Sequence, residues 1–212
     1  MARAQVGLDR SVVLDAALAV IDQDGLEALT MRRLARDLGV EPMSLYHWVA
    51  NKDDLLDGVV EQVCAQYPSL DSLTGTWRRR VEAYLDGMRT VLLAHPGAVV
   101  LVASRPMMTA GTVAVAESAL DGLVAAGFAE DDAAAVLHVL LTFVLGHALG
   151  QVGSTGGVGD RDGASVAAFR SSVPATAAPR FAATLGPGTD YDAEFALGVR
   201  ALLDGLAPRR RR

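Results

Sequence analysis

The stretch from Thr30 to Lys52 constrains the fold of this chain more than any other part of the sequence. It reads TMRRLARDLGVEPMSLYHWVANK, and apolar residues recur at helical spacing on both sides of Gly39. Glycine accepts the positive φ that a tight turn between helices requires. Pro42 suits the first turn of a helix, because its missing N–H would have no partner there. The stretch therefore predicts a helix capped by Thr30, a turn at Gly39 and a second helix over residues 42–49.

Helical spacing of apolar residues continues on both sides of this stretch, and no segment shows the alternation of a β-strand. A first helix is predicted from a cap at Asp9 or Ser11 to about Gln23. Further helices are predicted over about residues 52–67, 76–94, 98–103, 109–126, 131–151 and 191–206. The sequence thus predicts an all-α fold.

We expect two domains of unequal size within the 212 residues. Residues 1–51 should form an N-terminal three-helix domain that contains the helix-turn-helix. Residues 52–212 should form a larger helical domain, with residues 52–67 as the connecting fourth helix. Residues 152–189 are rich in Gly, Ser, Ala and Pro, and this composition predicts a flexible segment.

The composition favours a soluble protein. Apolar residues make up 51% of the chain and the mean hydropathy is +0.28, but charged residues (21%) are expected to interrupt every apolar run before it could cross a bilayer. The first ten residues, MARAQVGLDR, lack the apolar core of a secretion signal. We therefore expect a cytoplasmic protein without a membrane partner.

No constellation in the sequence predicts catalysis or a metal centre. The four histidines, at positions 47, 95, 138 and 147, lack metal-ligand spacing, and there is no nucleophile-elbow motif. The segment GSTGGVG lacks the lysine of a phosphate-binding loop. The single cysteine, Cys64, has no partner for an intramolecular disulfide and is expected to be a small buried apolar residue. We expect no enzyme activity, no cofactor and no metal.

The net charge of the chain argues against nucleic-acid binding, whereas the local charge of residues 30–52 argues for it. A net charge of −6 counts mildly against a nucleic-acid ligand, because proteins that bind nucleic acids are often basic. Residues 30–52, however, carry four cations against two acids: Arg32, Arg33, Arg36 and Lys52 against Asp37 and Glu41. A helix-turn-helix places its second helix in the major groove of DNA, while cationic and hydroxyl groups hold the phosphates.

Candidate DNA contacts follow from position within the stretch. Thr30 begins a helix and could hold a phosphate, Arg32 projects from the same turn towards a base edge, and Arg33 lies beside it. The other candidates start or follow the second helix: Pro42, Met43, Ser44, Tyr46, His47, Trp48 and Lys52. The alternative is an ordinary helix pair in a helical core. The cluster of Tyr46, His47 and Trp48 beside the arginines argues against that alternative.

Residues 10–66 resemble the DNA-binding domain of the TetR family of bacterial transcriptional repressors. The segment LDAALAVIDQDGLEALTMRRLARDLGVEPMSLYHWVANKDDLL carries the resemblance. Members of this family are all-α homodimers that bind a palindromic operator and release it when a small molecule enters the C-terminal domain. The resemblance implies base contacts by Arg32, Pro42, Met43 and Ser44, and phosphate contacts by Thr30, Met31, Ser44, Tyr46, Trp48 and Lys52. The side chain of Met31 has no phosphate-binding group.

The C-terminal half resembles the tetracycline-repressor branch of that family more loosely. The segments HPGAVVLVASRP, ALDGLVAAGF, LLTFVLGHALG and EFALGVRALLDGL occur in the order expected for the branch. In this branch the last two long helices of each subunit form a four-helix dimer interface. Independently, residues 131–151 are apolar around most of the helix and need burial on several sides. We therefore expect a homodimer through residues 131–151 and 190–206.

The sequence departs from tetracycline repressors at their magnesium site. Those proteins hold a drug-bound Mg²⁺ with a histidine at the position of Leu101 in this chain, and leucine cannot ligate a hard cation. The acidic partner from the opposing helix aligns with Gly150. A sensor of the Mg²⁺–tetracycline complex is therefore not expected.

Analogy with the family also implies a largely apolar ligand pocket in the C-terminal domain. Its candidate lining residues, each of which could instead be plain core, are Tyr84, Met88, Leu92, Leu101, Arg105, Met108, His138, Leu141, Thr142 and Leu145. The resulting hypothesis is a transcriptional repressor that a small, largely apolar ligand releases from a palindromic operator. The alternative is a small-molecule-binding helical protein or enzyme that keeps the helix-turn-helix as a scaffold.

Overall fold

The computed structural model describes residues 8–105, 109–154 and 190–206, together with positions 172, 176, 179 and 180. Across the three continuous ranges the chain forms nine α-helices: α1 (Arg10–Asp24), α2 (Met31–Leu38), α3 (Pro42–Leu45), α4 (Lys52–Cys64), α5 (Trp77–Ala94), α6 (Val99–Ser104), α7 (Ala110–Ala125), α8 (Glu130–Ser154) and α9 (Tyr191–Gly205). Short 3-10 turns lie at Leu26–Ala28, Leu70–Ser72 and Pro96–Ala98. The described residues contain no β-strand, and the all-α prediction is confirmed.

The starts of the early helices follow from local sequence. Asp9 caps α1, Thr30 caps α2 and Asn51 caps α4; each side chain accepts a hydrogen bond from the backbone N–H three residues ahead, at 2.9, 3.1 and 2.9 Å. Gly39 ends α2 in the left-handed conformation, with a φ of 69°. The cap at Thr30 and the left-handed Gly39 confirm the start of α2 and the turn that the sequence predicts.

Three helix ends differ from the sequence prediction. The helix α3 stops at Leu45 rather than at residue 49, because Tyr46 and Trp48 continue the chain in tighter turns that bond to the residue three positions back. The helix α4 stops at Cys64, since Pro68 disfavours helical backbone just before it. The helix α8 continues to Ser154, so the predicted flexible segment 152–189 begins too early; nearly all the rest of that segment lies outside the described residues.

Two clusters of buried apolar side chains organise the molecule. The head core contains residues of α1 to α4 together with Ala98 and Leu101 from the region of α6. The body core contains residues of α5 to α9. Tyr67, after α4, and Val102, on α6, pack against both cores. The two cores are therefore continuous through the end of α4 and through α6.

Glycines allow the closest approaches between the first helix and the rest of the molecule. A Cβ atom on Gly58 of α4 would lie 2.5 Å from the side chain of Leu14. A Cβ atom on Gly97 would lie 2.3 Å from the backbone carbonyl oxygen of Ile21 at the end of α1. His95 lies beside this contact, and its Nδ1 is 2.7 Å from the carboxylate of Asp22. The segment before α6 thus contacts the backbone of α1 directly.

One expectation about membranes is wrong for α8. No charged residue interrupts residues 133–159, and the helical segment Glu130–Gly153 is long and apolar enough to cross a bilayer. The bent pair of α5 with Pro96–Ser104 passes the same test of length and composition. A core helix of a soluble protein has the same properties, and a third of the apolar window in α8 is buried within this single chain. The rest of this apolar window is not buried by the described residues of the chain.

We expect Gly97→Ala to destabilise the fold, because the new methyl group would meet backbone rather than a side chain that could rotate away. The free energy of unfolding should fall by about 1–3 kcal/mol, the range for overpacking. Urea unfolding followed by circular dichroism measures this change. Gly205→Ala is the matched control, because open space surrounds that position. Equal effects of the two substitutions would contradict the close contact between Gly97 and Ile21.

Candidate nucleic-acid interface and ligand cavity

The arginines of α2 lie beside a shallow concave surface of about 480 Å³ at the turn into α3. Its walls are Thr30, Arg32, Arg33, Ala35, Arg36, Val40 and Pro42. Thr30 and Arg32 are exposed at the start of α2, and Pro42 is exposed at the start of α3. The fold therefore brings the predicted contacts at Thr30, Arg32, Arg33 and Pro42 together on one surface.

The arginines around this surface differ in their partners. Arg33 forms an ion pair with Asp24 at 2.9 Å and another with Asp37, and the hydrogen bond to Asp37 is the main cause of its raised pKa. Arg36 also bonds to Asp37, at 3.3 Å. Within the described ranges no ion pair involves Arg32, which is exposed. Arg33 thus fastens α2 to the end of α1, whereas the guanidinium of Arg32 is available to a ligand.

The helix α3 presents an exposed face beside these arginines. Leu45 and Val49 are buried in the head core, so the residues between them face outward. The side chain of Met43 is 73% exposed, and Tyr46 and Trp48 are 45% and 37% exposed. Pro42 and His47 are also exposed and Ser44 is half-buried. Exposed methionine and aromatic side chains grouped on α3 and on the turn after it are unusual for a surface that meets only water.

The segment after α3 is held by one carboxylate. Asp54 accepts from the guanidinium of Arg10 at 2.8 Å and from the backbone N–H of Ala50 at 2.7 Å. Arg10 also donates to the carbonyl oxygen of Trp48 at 2.7 Å. The bond from Arg10 is the main cause that lowers the pKa of Asp54. Lys52 is exposed in the first turn of α4, and this network fixes its position relative to Trp48.

A cavity of about 540 Å³ lies between α4, α5, α6, α7 and α8. The predicted residues that line it come from α5, from α8 and from the end of α6: Tyr84, Met88, Arg105, His138, Leu141, Thr142 and Leu145. Leu92 and Leu101 do not line it: both are buried elsewhere, Leu92 in the body core and Leu101 in the head core. Met108 lies outside the described residues. The exposed side chains of His138 and Thr142 place the mouth of the cavity at α8.

Sequence reasoning missed the wall that α4 contributes. Val60 and Cys64 of α4 line the cavity together with Tyr67, which follows the end of the helix, and their spacing of four and three residues is that of one helical face. That spacing was visible in the sequence, but the same face also reads as ordinary core. Their place in the wall matters because α4 begins beside the exposed face of α3 and ends at the cavity.

Most polar groups in the cavity wall are uncharged at ordinary pH. Burial raises the pKa of the Cys64 thiol to about 11 and that of Tyr84 to about 12. Burial also raises the pKa of Tyr67, whose hydroxyl lies beside the Cys64 thiol and has no oxygen or nitrogen partner in the described part of the chain. The wall therefore offers neutral hydroxyl and thiol groups within a mainly apolar surface.

Arg105 is the exception in this wall. Its Nε donates to Asp57 at 2.7 Å, and its Nη2 contacts Asp53 at 3.3 Å, so a cavity-lining cation is bonded to two carboxylates of α4. The bond to Asp57 is the main cause of the raised pKa of Arg105. Elsewhere in the described ranges, no three His, Cys, Asp or Glu side chains gather in a way that could hold a metal ion.

A third surface runs along α8 and α9. Phe143 of α8 stacks on Phe195 of α9 with 5.4 Å between ring centroids, and Gly198 gives Phe143 the room to do so. Outside this contact, the side chain of Leu197 is 62% exposed and that of Val139 is 40% exposed. Gly146 and Gly150 leave open space along the same helix. The pair of helices therefore has one buried side and one exposed apolar side.

Comparison with known proteins assigns both parts of the chain. The family model "Bacterial regulatory proteins, tetR family" matches residues 13–59, and the model "Tetracyclin repressor-like, C-terminal domain" matches residues 68–210. A tetracycline repressor protein, class A from transposon 1721 of Escherichia coli, is 32% identical over 206 residues, which are 96% of this chain and 92% of the repressor. An HTH-type transcriptional regulator of Saccharopolyspora erythraea is 33% identical over 139 residues, which are 66% of this chain but 59% of that protein.

Solved structures agree with these relatives. A possible TetR family transcriptional regulator from Streptomyces coelicolor A3(2) superposes with a TM-score of 0.80 at 34% identity, and the match covers 93% of this chain and 98% of that one. ActR from Streptomyces coelicolor, solved in complex with actinorhodin, gives a TM-score of 0.77 at 30% identity, with coverage of 95% and 97%. The whole arrangement of head and body is therefore shared with these structures.

Proposed function

The chain belongs to the TetR family and is a ligand-responsive, DNA-binding transcriptional regulator; on that premise, we propose that it is a repressor that leaves a palindromic operator when a small, largely apolar molecule enters the cavity. The single observation that carries this proposal is the position of α4. Its first turn follows the exposed face of α3, and its last turn forms a wall of the cavity. One rigid element thus touches both proposed sites.

We assign the DNA contacts to the exposed residues of α2, α3 and the start of α4. Arg32 should donate to a base edge, because its guanidinium is exposed and has no ion-pair partner among the described residues. Met43 should make apolar contact with a thymine methyl group. The proposed phosphate and flanking contacts are Thr30, Ser44, Tyr46, His47, Trp48 and Lys52. Arg33 acts mainly through its ion pairs with Asp24 and Asp37, which hold α2 in place.

We propose that two chains pair through the exposed apolar side of α8 and α9. Leu197 and Val139 would then be buried between subunits, which accounts for the long apolar helix α8 without a membrane. A two-fold dimer would place the two α3 helices about 34–36 Å apart, one turn of DNA. Dimerisation is typical of the family, and it fits a palindromic operator. The protein would act in the cytoplasm, where its DNA is.

Ligand binding would shift the dimer between two spacings of its heads. A ligand can shift this balance only if it binds one state better than the other. The relatives provide the precedent for small molecules: one is named a tetracycline repressor, and ActR was solved with actinorhodin. The wall of this chain is mainly apolar, and Leu101, at the position of the metal-ligating histidine, is buried in the head core. The ligand should therefore bind without Mg²⁺.

The rival function is an enzyme or carrier that keeps the head as a scaffold. Proteins of this family are regulators, which favours the repressor. The exposed Met43 of α3 and the exposed Tyr46 and Trp48 after it favour it as well, because a scaffold has no need of an exposed apolar group there. A carrier would bind its ligand with the same affinity whether or not DNA is present, whereas a repressor would not.

Arg32→Ala should weaken DNA binding without unfolding the head. Loss of one bidentate base contact costs about 1–3 kcal/mol, or about tenfold to a hundredfold in affinity. Fluorescence anisotropy with a labelled duplex from the region upstream of the gene measures this affinity at fixed salt. Arg79→Ala is the matched control, since Arg79 is an exposed arginine on α5 away from the head. The base contact is refuted if the two variants bind alike.

Leu197→Glu should convert the dimer to monomers, because it places a charge on the exposed apolar side of α9 that the proposed interface would bury. Sedimentation velocity measures the change in mass, and the same anisotropy titration should show weaker DNA binding by the monomer. Val113→Glu is the control: Val113 is 54% exposed but lies on α7. A Leu197→Glu protein that remains dimeric would exclude this interface.

A further inference from the structure

Arg105 is the one arginine or lysine among the described residues that line the cavity. It is also the residue that ties α6 to α4, through Asp57 at 2.7 Å and Asp53 at 3.3 Å. The carboxylates of Asp57 and Asp53 do not line the cavity. A guanidinium has five N–H donors, so Arg105 can be shared or exchanged between these carboxylates and a group inside the cavity.

The arrangement around Arg105 is suited to exchange rather than to permanent pairing. Its side chain is 22% exposed and that of Asp53 is 81% exposed, so the second ion pair is close to water. Exposed ion pairs contribute little to stability. An anion within the mainly apolar cavity would interact with Arg105 more strongly, because fewer water molecules screen it there. An incoming anion could therefore compete with Asp53 and Asp57.

A second donor with only a weak partner lies in the same wall. The hydroxyl of Tyr67 is buried, and the polar group beside it is the thiol of Cys64, whose sulfur is a poor acceptor. A ligand oxygen would be a stronger acceptor for this hydroxyl. Together with the apolar wall, Tyr67 and Arg105 define the chemistry of the complementary molecule.

We propose that the effector is a largely apolar molecule with one anionic oxygen group, such as a carboxylate or an ionised phenol, and that it acts by drawing Arg105 away from Asp57 and Asp53. This inference rests on the proposed function, because it takes the cavity as the effector site. The apolar part of the effector fills the space between α5, α7 and α8. Its anion pairs with Arg105 and releases the first turns of α4, which precede the cavity wall and follow the DNA-binding face.

Two fluorescent probes with the same aromatic skeleton distinguish the contribution of an anionic group from that of apolar contact. 8-Anilinonaphthalene-1-sulfonate carries one anionic group, and N-phenyl-1-naphthylamine is its neutral counterpart. Arg105→Gln should lower the affinity for the sulfonate probe by about tenfold or more, which is the contribution of one charge-assisted hydrogen bond. The neutral probe should bind Arg105→Gln and the unsubstituted protein alike. Arg79→Gln, an exposed arginine outside the cavity, should change neither affinity.

Asp57→Asn provides the opposite change without removing a residue from the cavity wall. It leaves Arg105 with one fewer competing anion, so the sulfonate probe should bind more tightly and the neutral probe should not change. This result keeps the proposal testable even if Arg105→Gln folds poorly. If both probes respond alike to Arg105→Gln, or if Asp57→Asn leaves the sulfonate probe unchanged, Arg105 is not an anion site and the inference is wrong.

A third variant distinguishes failure of this inference from failure of the proposed function. Ala116→Phe places a larger side chain in the cavity wall and should weaken both probes. If both probes bind this variant as they bind the unsubstituted protein, they bind outside the cavity, and the cavity loses its role as effector site. If Ala116→Phe lowers the affinity for both probes but Arg105→Gln changes the two affinities alike, the cavity remains the effector site. The effector is then not required to be an anion.

Discussion

The packing of α4 is the constraint on which the rest of this structure depends. Thirteen residues connect the exposed face of the head to the wall of the cavity, and seven of them are buried. Gly58 brings α4 against Leu14 of α1 so closely that an added Cβ atom would lie 2.5 Å from the end of the leucine side chain, which would have to shift. Close-packed interfaces of this kind move as rigid bodies rather than deform. A displacement at Val60 or Cys64 should therefore appear at Asn51 and Lys52.

The connection before α6 provides the second tie between head and body. Gly97 contacts the backbone of Ile21, and Leu101 is buried in the head core although it belongs to a body helix. The next residue of α6, Val102, packs against both cores, and Arg105 follows at the end of the helix; both line the cavity. A ligand that contacts this wall therefore contacts α6, and α6 is also packed into the head core through Leu101. Because α4 and α6 are joined by Arg105, the two ties are coupled electrostatically as well as by packing.

Local chemistry made much of the head predictable from sequence. The caps at Asp9, Thr30 and Asn51 and the turn at Gly39 depend only on neighbouring residues, so a single sequence contains the information. The partner of Arg33 was not predictable, because Asp24 reaches it only after α1 and α2 pack. Leu101 was misplaced for a related reason: six residues of an apolar helix do not reveal which face meets which core. Tyr67 and Cys64 were missed because a cavity wall and a core have the same apolar spacing.

The central claim is that α4 couples the cavity to DNA, and coupling between two sites is reciprocal. The most direct measurement is the affinity of 8-anilinonaphthalene-1-sulfonate for the protein, with and without a saturating duplex from the region upstream of its gene. If α4 couples the two sites, the duplex weakens the binding of the probe, and the probe weakens the binding of the duplex by the same factor. An unchanged probe affinity in the DNA complex would contradict it.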